Sequence, residues 1–186
     1  TDKKGSVWVG SYYGGVNLWD KANINFINLQ ENQGQKGLSY HVVSSIAAQD
    51  ELVYFGTEGG GITIYNTKTD KTDFSINKQL KSLNDHNIKS LHLADDKLWI
   101  GTFEEGVSVL NLKKGVLDPY VLSDDLKSLL RSTGVYSIAK ENADSYFLGT
   151  FGEGLVQYDP ISKSIKQFKN DPTFELALRL EEIALS

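Results

Sequence analysis

Four segments of this chain repeat one another at a nearly fixed spacing, and that limits what it can fold into. The first is Val7-Trp8-Val9-Gly10-Ser11, then Gly15-Val16-Asn17-Leu18-Trp19-Asp20. The second is Val53-Tyr54-Phe55-Gly56-Thr57, then Gly61-Ile62-Thr63-Ile64-Tyr65-Asn66. The third is Leu98-Trp99-Ile100-Gly101-Thr102, then Gly106-Val107-Ser108-Val109-Leu110-Asn111, and the fourth is Tyr146-Phe147-Leu148-Gly149-Thr150, then Gly154-Leu155-Val156-Gln157-Tyr158-Asp159. Their glycines Gly10, Gly56, Gly101 and Gly149 stand 46, 45 and 48 residues apart. A period of this size belongs to solenoids, propellers and arrays.

Two further runs keep the same period. Val43-Ser44-Ser45-Ile46, Ile88-Lys89-Ser90-Leu91 and Val135-Tyr136-Ser137-Ile138 lie upstream of the later glycines. Phe26 to Leu29, Phe74 to Ile76, Tyr120 to Leu122 and Ile165 to Phe168 lie downstream. Each repeat therefore holds four short β-rich runs, and the hairpin glycines are suited to positive φ. The expected fold is all-β: a β-propeller of four-stranded antiparallel blades, either closed with four or an arc of a larger ring. Radial packing would bury both faces of each blade and leave short, protected edges. The expected repeats are 1–41, 42–86, 87–133 and 134–172, with 173–186 a closing strand. Leu180 to Ala184 repeats the Val-x-Ser-Ile-Ala pattern, although Thr173 to Leu185 also reads as a helix opened by Pro172. Ser123-Asp124-Asp125-Leu126 reads as the start of a short helix.

Composition narrows the function. Net charge is −5 and the 19 Lys and Arg are scattered, which argues against nucleic acid, since that needs a basic stripe. No apolar run approaches the roughly 18 residues of a membrane span, so no direct membrane contact is expected of this segment. With 17 Gly and only 3 Pro, tight turns between paired strands are expected. Cys is 0, which removes thiol chemistry and Cys-ligated zinc, and Met is 0, as for a piece cut from a longer array. The chain has no Gly-x-Ser-x-Gly elbow and no His-Glu-x-x-His. Gly59-Gly60-Gly61 lacks a following Gly-Lys-Ser/Thr and reads as a turn, and Glu104-Glu105 reads as surface charge rather than a glycosidase pair. No catalytic residue, metal ligand or cofactor is therefore assigned.

The strings Val7 to Asp20, Leu98 to Asn111 and Tyr146 to Asp159 resemble the two-component regulator propeller repeat, Leu-Trp-Ile-Gly-Thr-x-x-Gly-Gly-Leu-x-x-Tyr-Asp. The ending Phe168-Lys169-Asn170-Asp171-Pro172 is similar too. The resemblance spans nearly the whole chain. It implies a non-enzymatic, ligand-sensing segment of a bacterial hybrid two-component sensor histidine kinase. It also implies a periplasmic location, an oligosaccharide ligand derived from polysaccharides, and a homodimer of the intact protein. The chain departs from the pattern at Glu104-Glu105 and Gly152-Glu153, where paired glycines are favoured. The second repeat also resembles the quinoprotein-type repeat, which keeps an interaction scaffold or a propeller enzyme of lyase or quinoprotein type as the alternative.

Loops at one end of such a scaffold are the expected binding place. The hairpin turns supply Tyr12, Tyr13, Glu58, Phe103, Glu104, Phe151 and Glu153, and the connections between repeats supply His41 and His86. Aromatic faces beside carboxylates suit a sugar, because rings stack on C–H surfaces and carboxylates accept from hydroxyls. His41 and His86 hold equivalent positions, which suits a loop role better than a metal or pH-sensing pair, since Thr133 replaces them in the third repeat.

Overall fold

The computed structural model describes residues 1–20, 23–31, 36–80, 86–142 and 145–169. Strands β1 (Val7–Ser11), β2 (Gly15–Asp20) and β3 (Asn23–Leu29) form a three-stranded antiparallel sheet. β4 (Val43–Gln49), β5 (Leu52–Thr57), β6 (Gly61–Asn66) and β7 (Lys71–Asp73) form a second sheet and lead into helix α1 (Asn77–Leu80). β8 (Ile88–Ala94), β9 (Lys97–Thr102), β10 (Glu105–Asn111) and β11 (Val116–Leu117) are followed by helix α2 (Asp124–Leu129). β12 (Thr133–Lys140), β13 (Tyr146–Phe151), β14 (Leu155–Tyr158) and β15 (Ile165–Phe168) complete the described strands.

The chain is all-β as expected, but the β-propeller of four-stranded blades is not what forms. Sheets of three, four and eight strands are present, with no closed ring among the described residues. The eight-stranded sheet arises where β10 and β12 pair in parallel, Glu105 with Thr133 and Gly106 with Gly134. Two glycines permit this approach. A Cβ on Gly106 would stand 2.9 Å from Leu130 Cβ, and one on Gly134 would stand 2.6 Å from the Phe103 carbonyl oxygen. A sequence period places the strands within each repeat; it does not determine how successive sets join. The suggested closing run, Leu180 to Ala184, lies outside the described residues.

The repeat has two local causes. In each hairpin the hydroxyl after the repeated glycine donates to a carbonyl four residues on: Ser11 to Gly15 (3.1 Å), Thr57 to Gly61 (2.8 Å), Thr102 to Gly106 (3.3 Å) and Thr150 to Gly154 (2.6 Å). The accepting glycine has positive φ, as at Gly61 (φ 73°), which a residue with a side chain adopts only at a cost. At the far end, Asn66, Asn111 and Asp159 accept from backbone N–H groups two or three residues on, which turns the chain.

Two of the expected downstream runs are not strands. The Asp73 carboxylate accepts from the Ser75 N–H (2.8 Å) and Oγ–H (2.7 Å), and Asp118 accepts from the Tyr120 N–H (3.2 Å). These turns end β7 and β11 early. Ile76 and Leu122 then enter the core while Phe74 and Tyr120 face outward. α2 is capped by Ser123, whose hydroxyl accepts from the Leu126 N–H.

Successive residues of the inner strands serve opposite faces, and both faces are buried. On β5, Val53 and Phe55 join Val16, Leu29 and Tyr65, whereas Tyr54 turns to Ile88, Leu98 and Ile100. On β9, Leu98 and Ile100 face that second cluster and Trp99 faces a third, with Val135, Tyr146, Leu148 and Tyr158. Leu80 of α1 and Leu126 of α2 are fully buried in the second and third clusters. Each such side chain contributes about 1.5–3 kcal/mol by leaving water.

His92, on β8, stands edge-on to Tyr146 with ring centroids 6.1 Å apart. Burial, then the nearby Lys140 charge, lowers its pKa. Unfolding therefore takes up a proton that the folded state resists. This part of the stability is complete above the unfolded value near pH 6.5 and is lost as pH falls through the folded value. We predict that His92→Gln flattens the decline of the urea midpoint between pH 7 and pH 5; an unchanged slope would refute this.

Candidate functional site

The β1–β2, β5–β6, β9–β10 and β13–β14 turns share one end of the layers with the starts of β4, β8 and β12. The pairings Ser11 with Gly15, Val43 with Thr57, Ile88 with Thr102 and Gly134 with Phe151 place them there. Each of those three starts carries a β-bulge. The register shifts between Val43 and Ser45, between Ile88 and Ser90, and between Val135 and Ser137. The extra residues are Ser44, Lys89 and Tyr136. A bulge leaves one residue out of the ladder and re-aims its side chain.

The three side chains do different things. Ser44 Oγ donates to the Gly56 carbonyl (3.0 Å) and lies close to that of Ile88, tying two sheets together. Lys89 Nζ donates to Glu58 at 2.6 Å and lies 5.2 Å from the Phe103 ring and 5.4 Å from the Tyr136 ring. Its side chain keeps only 14% exposure, so the ion pair and ring contacts are partly shielded from water. The Tyr136 ring in turn lies 5.9 Å from that of Phe151. Glu58, Lys89, Phe103, Tyr136 and Phe151 thus form one row across the turn end.

A second group sits on the earlier turns. Tyr12 and Tyr13 meet edge to face at 4.6 Å, and Tyr13 stacks on His41 at 6.1 Å. His41 also packs on Tyr40 (4.2 Å), and its Nδ1 lies 3.0 Å from Glu31 Oε2. Gly59 and Gly60 pass over this group, where a Cβ on Gly60 would stand 2.5 Å from the Ser39 carbonyl oxygen. The three-glycine turn is therefore a close backbone approach.

Three other expected residues, Glu104, Glu153 and His86, lie on the same turns and connections. Glu104 stands exposed on the β9–β10 turn. Glu153 is drawn to β15, where Lys169 and Gln167 each donate to it at 2.8 Å, and the Lys169 hydrogen bond holds its carboxyl below the usual range. His86 contributes its backbone carbonyl, which accepts from the Gly59 N–H (3.2 Å) and the Gly61 N–H (2.9 Å). Sequence reading missed Lys89, Tyr136 and Glu31. The first two carried a signal, since they and Ser44 share the second position of the Val-x-Ser-Ile run.

The face is unusual in its exposed rings: Tyr12, Tyr13 and Phe151 are 65%, 74% and 76% exposed. Exposed aromatic surface of this kind makes the turn end a candidate interaction surface. It offers flat apolar faces beside a carboxylate and an ammonium group, which is a means of binding.

In fold, the chain is similar to extracellular domains of two-component systems. One from B. thetaiotaomicron, described as a hybrid system, matches with a TM-score of 0.73 at 19% identity, covering 91% of this chain and 24% of that one. A second from the same organism matches with a TM-score of 0.69 at 18% identity, covering 94% and 22%. In sequence, the chain is 44% identical over 160 residues to Histidine kinase P4 of Formosa agariphila, a match covering 86% of this chain and 12% of that kinase. The chain is thus a homologue of one segment of a histidine kinase and spans about an eighth of that relative's length. No family profile matches it. No helix among the described residues is long and apolar enough to cross a membrane, which says nothing of β-barrels.

Proposed function

We propose that the chain is a non-catalytic ligand-sensing segment of a two-component signalling protein. It works in the periplasm, and its turn end recognises an oligosaccharide. The observation that carries the reading is the set of exposed rings on the turn end: Phe103 and Phe151 in the row of the Glu58–Lys89 pair, and Tyr12 and Tyr13 beside His41 and Glu31. Such rings stack on the C–H faces of sugars while the charged pair exchanges hydrogen bonds with hydroxyl groups. Homology to a kinase segment and the fold of extracellular domains support the signalling context. Phosphoryl transfer would belong to other parts of the intact protein.

The test is calorimetric titration of the chain with a panel of neutral and acidic oligosaccharides. At least one is expected to bind, and Tyr13→Ala and Phe103→Ala each to weaken it about three- to tenfold, the scale of one lost stacking contact. Absence of binding across the panel, or variants that bind as tightly as the parent, would overturn the reading.

A further inference from the structure

β1 is the exposed member of a set of otherwise buried strands. Its counterparts β5, β9 and β13 each lie between two strands, whereas β1 is the edge of its sheet among the described residues. Val9 is 50% exposed, and the residues at the same place in the other repeats, Phe55, Ile100 and Leu148, are 0% exposed. A free edge that carries an apolar residue is a template for a further strand.

The three counterparts show what that strand must carry. Ser45, Ser90 and Ser137 stand opposite Gly56, Gly101 and Gly149. Each serine fills the space that its glycine leaves, since a Cβ on the glycine would stand 2.4, 2.2 and 2.4 Å from the serine Oγ. Over Gly10 there is no such group, and the nearest atom to a Cβ there is Val43 Cγ1, at 3.2 Å. An apolar residue follows each serine: Ile46, Leu91 and Ile138 stand opposite Phe55, Ile100 and Leu148.

The turn before β1 shows where the strand comes from. The Asp2 N–H donates to the Ser6 carbonyl (3.1 Å), and the Asp2 carboxylate accepts from the N–H groups of Lys4 (2.9 Å) and Ser6 (3.1 Å). The same backbone bond, from the Glu141 N–H to the Ser145 carbonyl (2.9 Å), joins β12 to β13, and Lys140 just before it pairs with Tyr146. The chain has thus already reversed at Asp2, and in the register of β12 Thr1 falls opposite Val7.

We propose that the β1 edge accepts a strand from the stretch of the intact protein that leads into Thr1, running antiparallel to β1 with the pattern apolar-x-Ser-apolar. In the register of β12, the second, third and fifth residues ahead of Thr1 fall opposite Val9, Gly10 and Ser11, and the fourth is bulged. That bulged residue adds a side chain to the turn end beside Tyr12 and Tyr13, whatever the turn end binds. The kinase relative is long enough to supply such a stretch, since the match covers 12% of it. The run Leu180 to Ala184 fits the edge less well, because it has Glu182 in place of the serine.

The test extends the full chain ahead of Thr1 in three ways: with the intact protein's own preceding residues, with Val-Tyr-Ser-Ile-Ala taken from β12, and with those five residues scrambled. The first two are expected to raise the melting temperature by about 3–8 °C and to slow amide hydrogen exchange along β1 about tenfold or more, and the scrambled extension to do neither. Val9→Ala is expected to lower the melting temperature of the extended chain at least about twice as far as that of the unextended one, because the extension buries Val9. No rise with the intact protein's own residues, or an equal rise with the scrambled extension, would overturn the proposal. So would a dimer of the unextended chain that persists after extension, which would put a second copy on the edge.

Discussion

Gly101→Ala is expected to lower the melting temperature by roughly 6–12 °C. The loss corresponds to about 3 kcal/mol, the upper part of the usual overpacking range, at about 2–4 °C per kcal/mol for a chain of this size. The reason is steric and involves the neighbouring strand. A Cβ on Gly101 would stand 2.3 Å from the Val135 carbonyl oxygen, 2.2 Å from Ser90 Oγ and 3.1 Å from Val135 Cγ1. Ser90 Oγ donates to that same carbonyl at 2.9 Å, so the side chain cannot move aside without breaking the tie between β8 and β12. Gly149→Ala is the internal comparison. There a Cβ would meet Ser137 Oγ at 2.4 Å, and the next contacts are at 3.6 Å or beyond. A hydroxyl can rotate where a backbone carbonyl cannot, so this substitution is expected to cost about 1 kcal/mol or less. Equal melting temperatures for the two variants would refute the account.

Leu126→Ala is expected to cost about 3 kcal/mol in urea or guanidinium unfolding, within the range of roughly 2–5 kcal/mol for buried leucines. Leu126 is the fully buried residue of α2 and packs in the cluster of Trp99, Val107, Leu130 and Val135. It also lines a groove of about 300 Å³ between β10 and α2, with Val109, Leu117 and Leu122. Partial collapse of that groove keeps the expected cost near the middle of the range. Asp124→Ala, at a side chain 99% exposed on the same helix, is expected to change stability by less than about 0.5 kcal/mol. A Leu126→Ala effect as small as that of Asp124→Ala would show that α2 does not anchor this core.

Much of the local architecture was legible because local chemistry sets it. Gly10, Gly56, Gly101 and Gly149 marked the hairpins, and Ser123 with its acidic followers marked α2. The assembly of the sheets was not legible. The two-residue parallel pairing at Glu105 and Gly106 depends on where α2 delivers Thr133, which a period cannot show. Phe74 and Tyr120 read as strand because aromatic residues favour strands, but Asp73 and Asp118 turn the chain first. For the site, exposed aromatics in turns could be found by position alone. Lys89 could not, because its importance comes from meeting Glu58, Phe103 and Tyr136 in space. The partners of Glu153 were not legible for the corresponding reason, since Lys169 and Gln167 meet it only in space.

The three bulges give the turn end a modular character. A residue left out of the ladder is not held to the face that pairing imposes, so Ser, Lys and Tyr occupy one framework position in Ser44, Lys89 and Tyr136 and make different contacts from it. Three of the four repeats thereby present one variable side chain on a common backbone. A protein of this construction can change what its surface recognises by single substitutions at those positions, while the stack beneath keeps its shape.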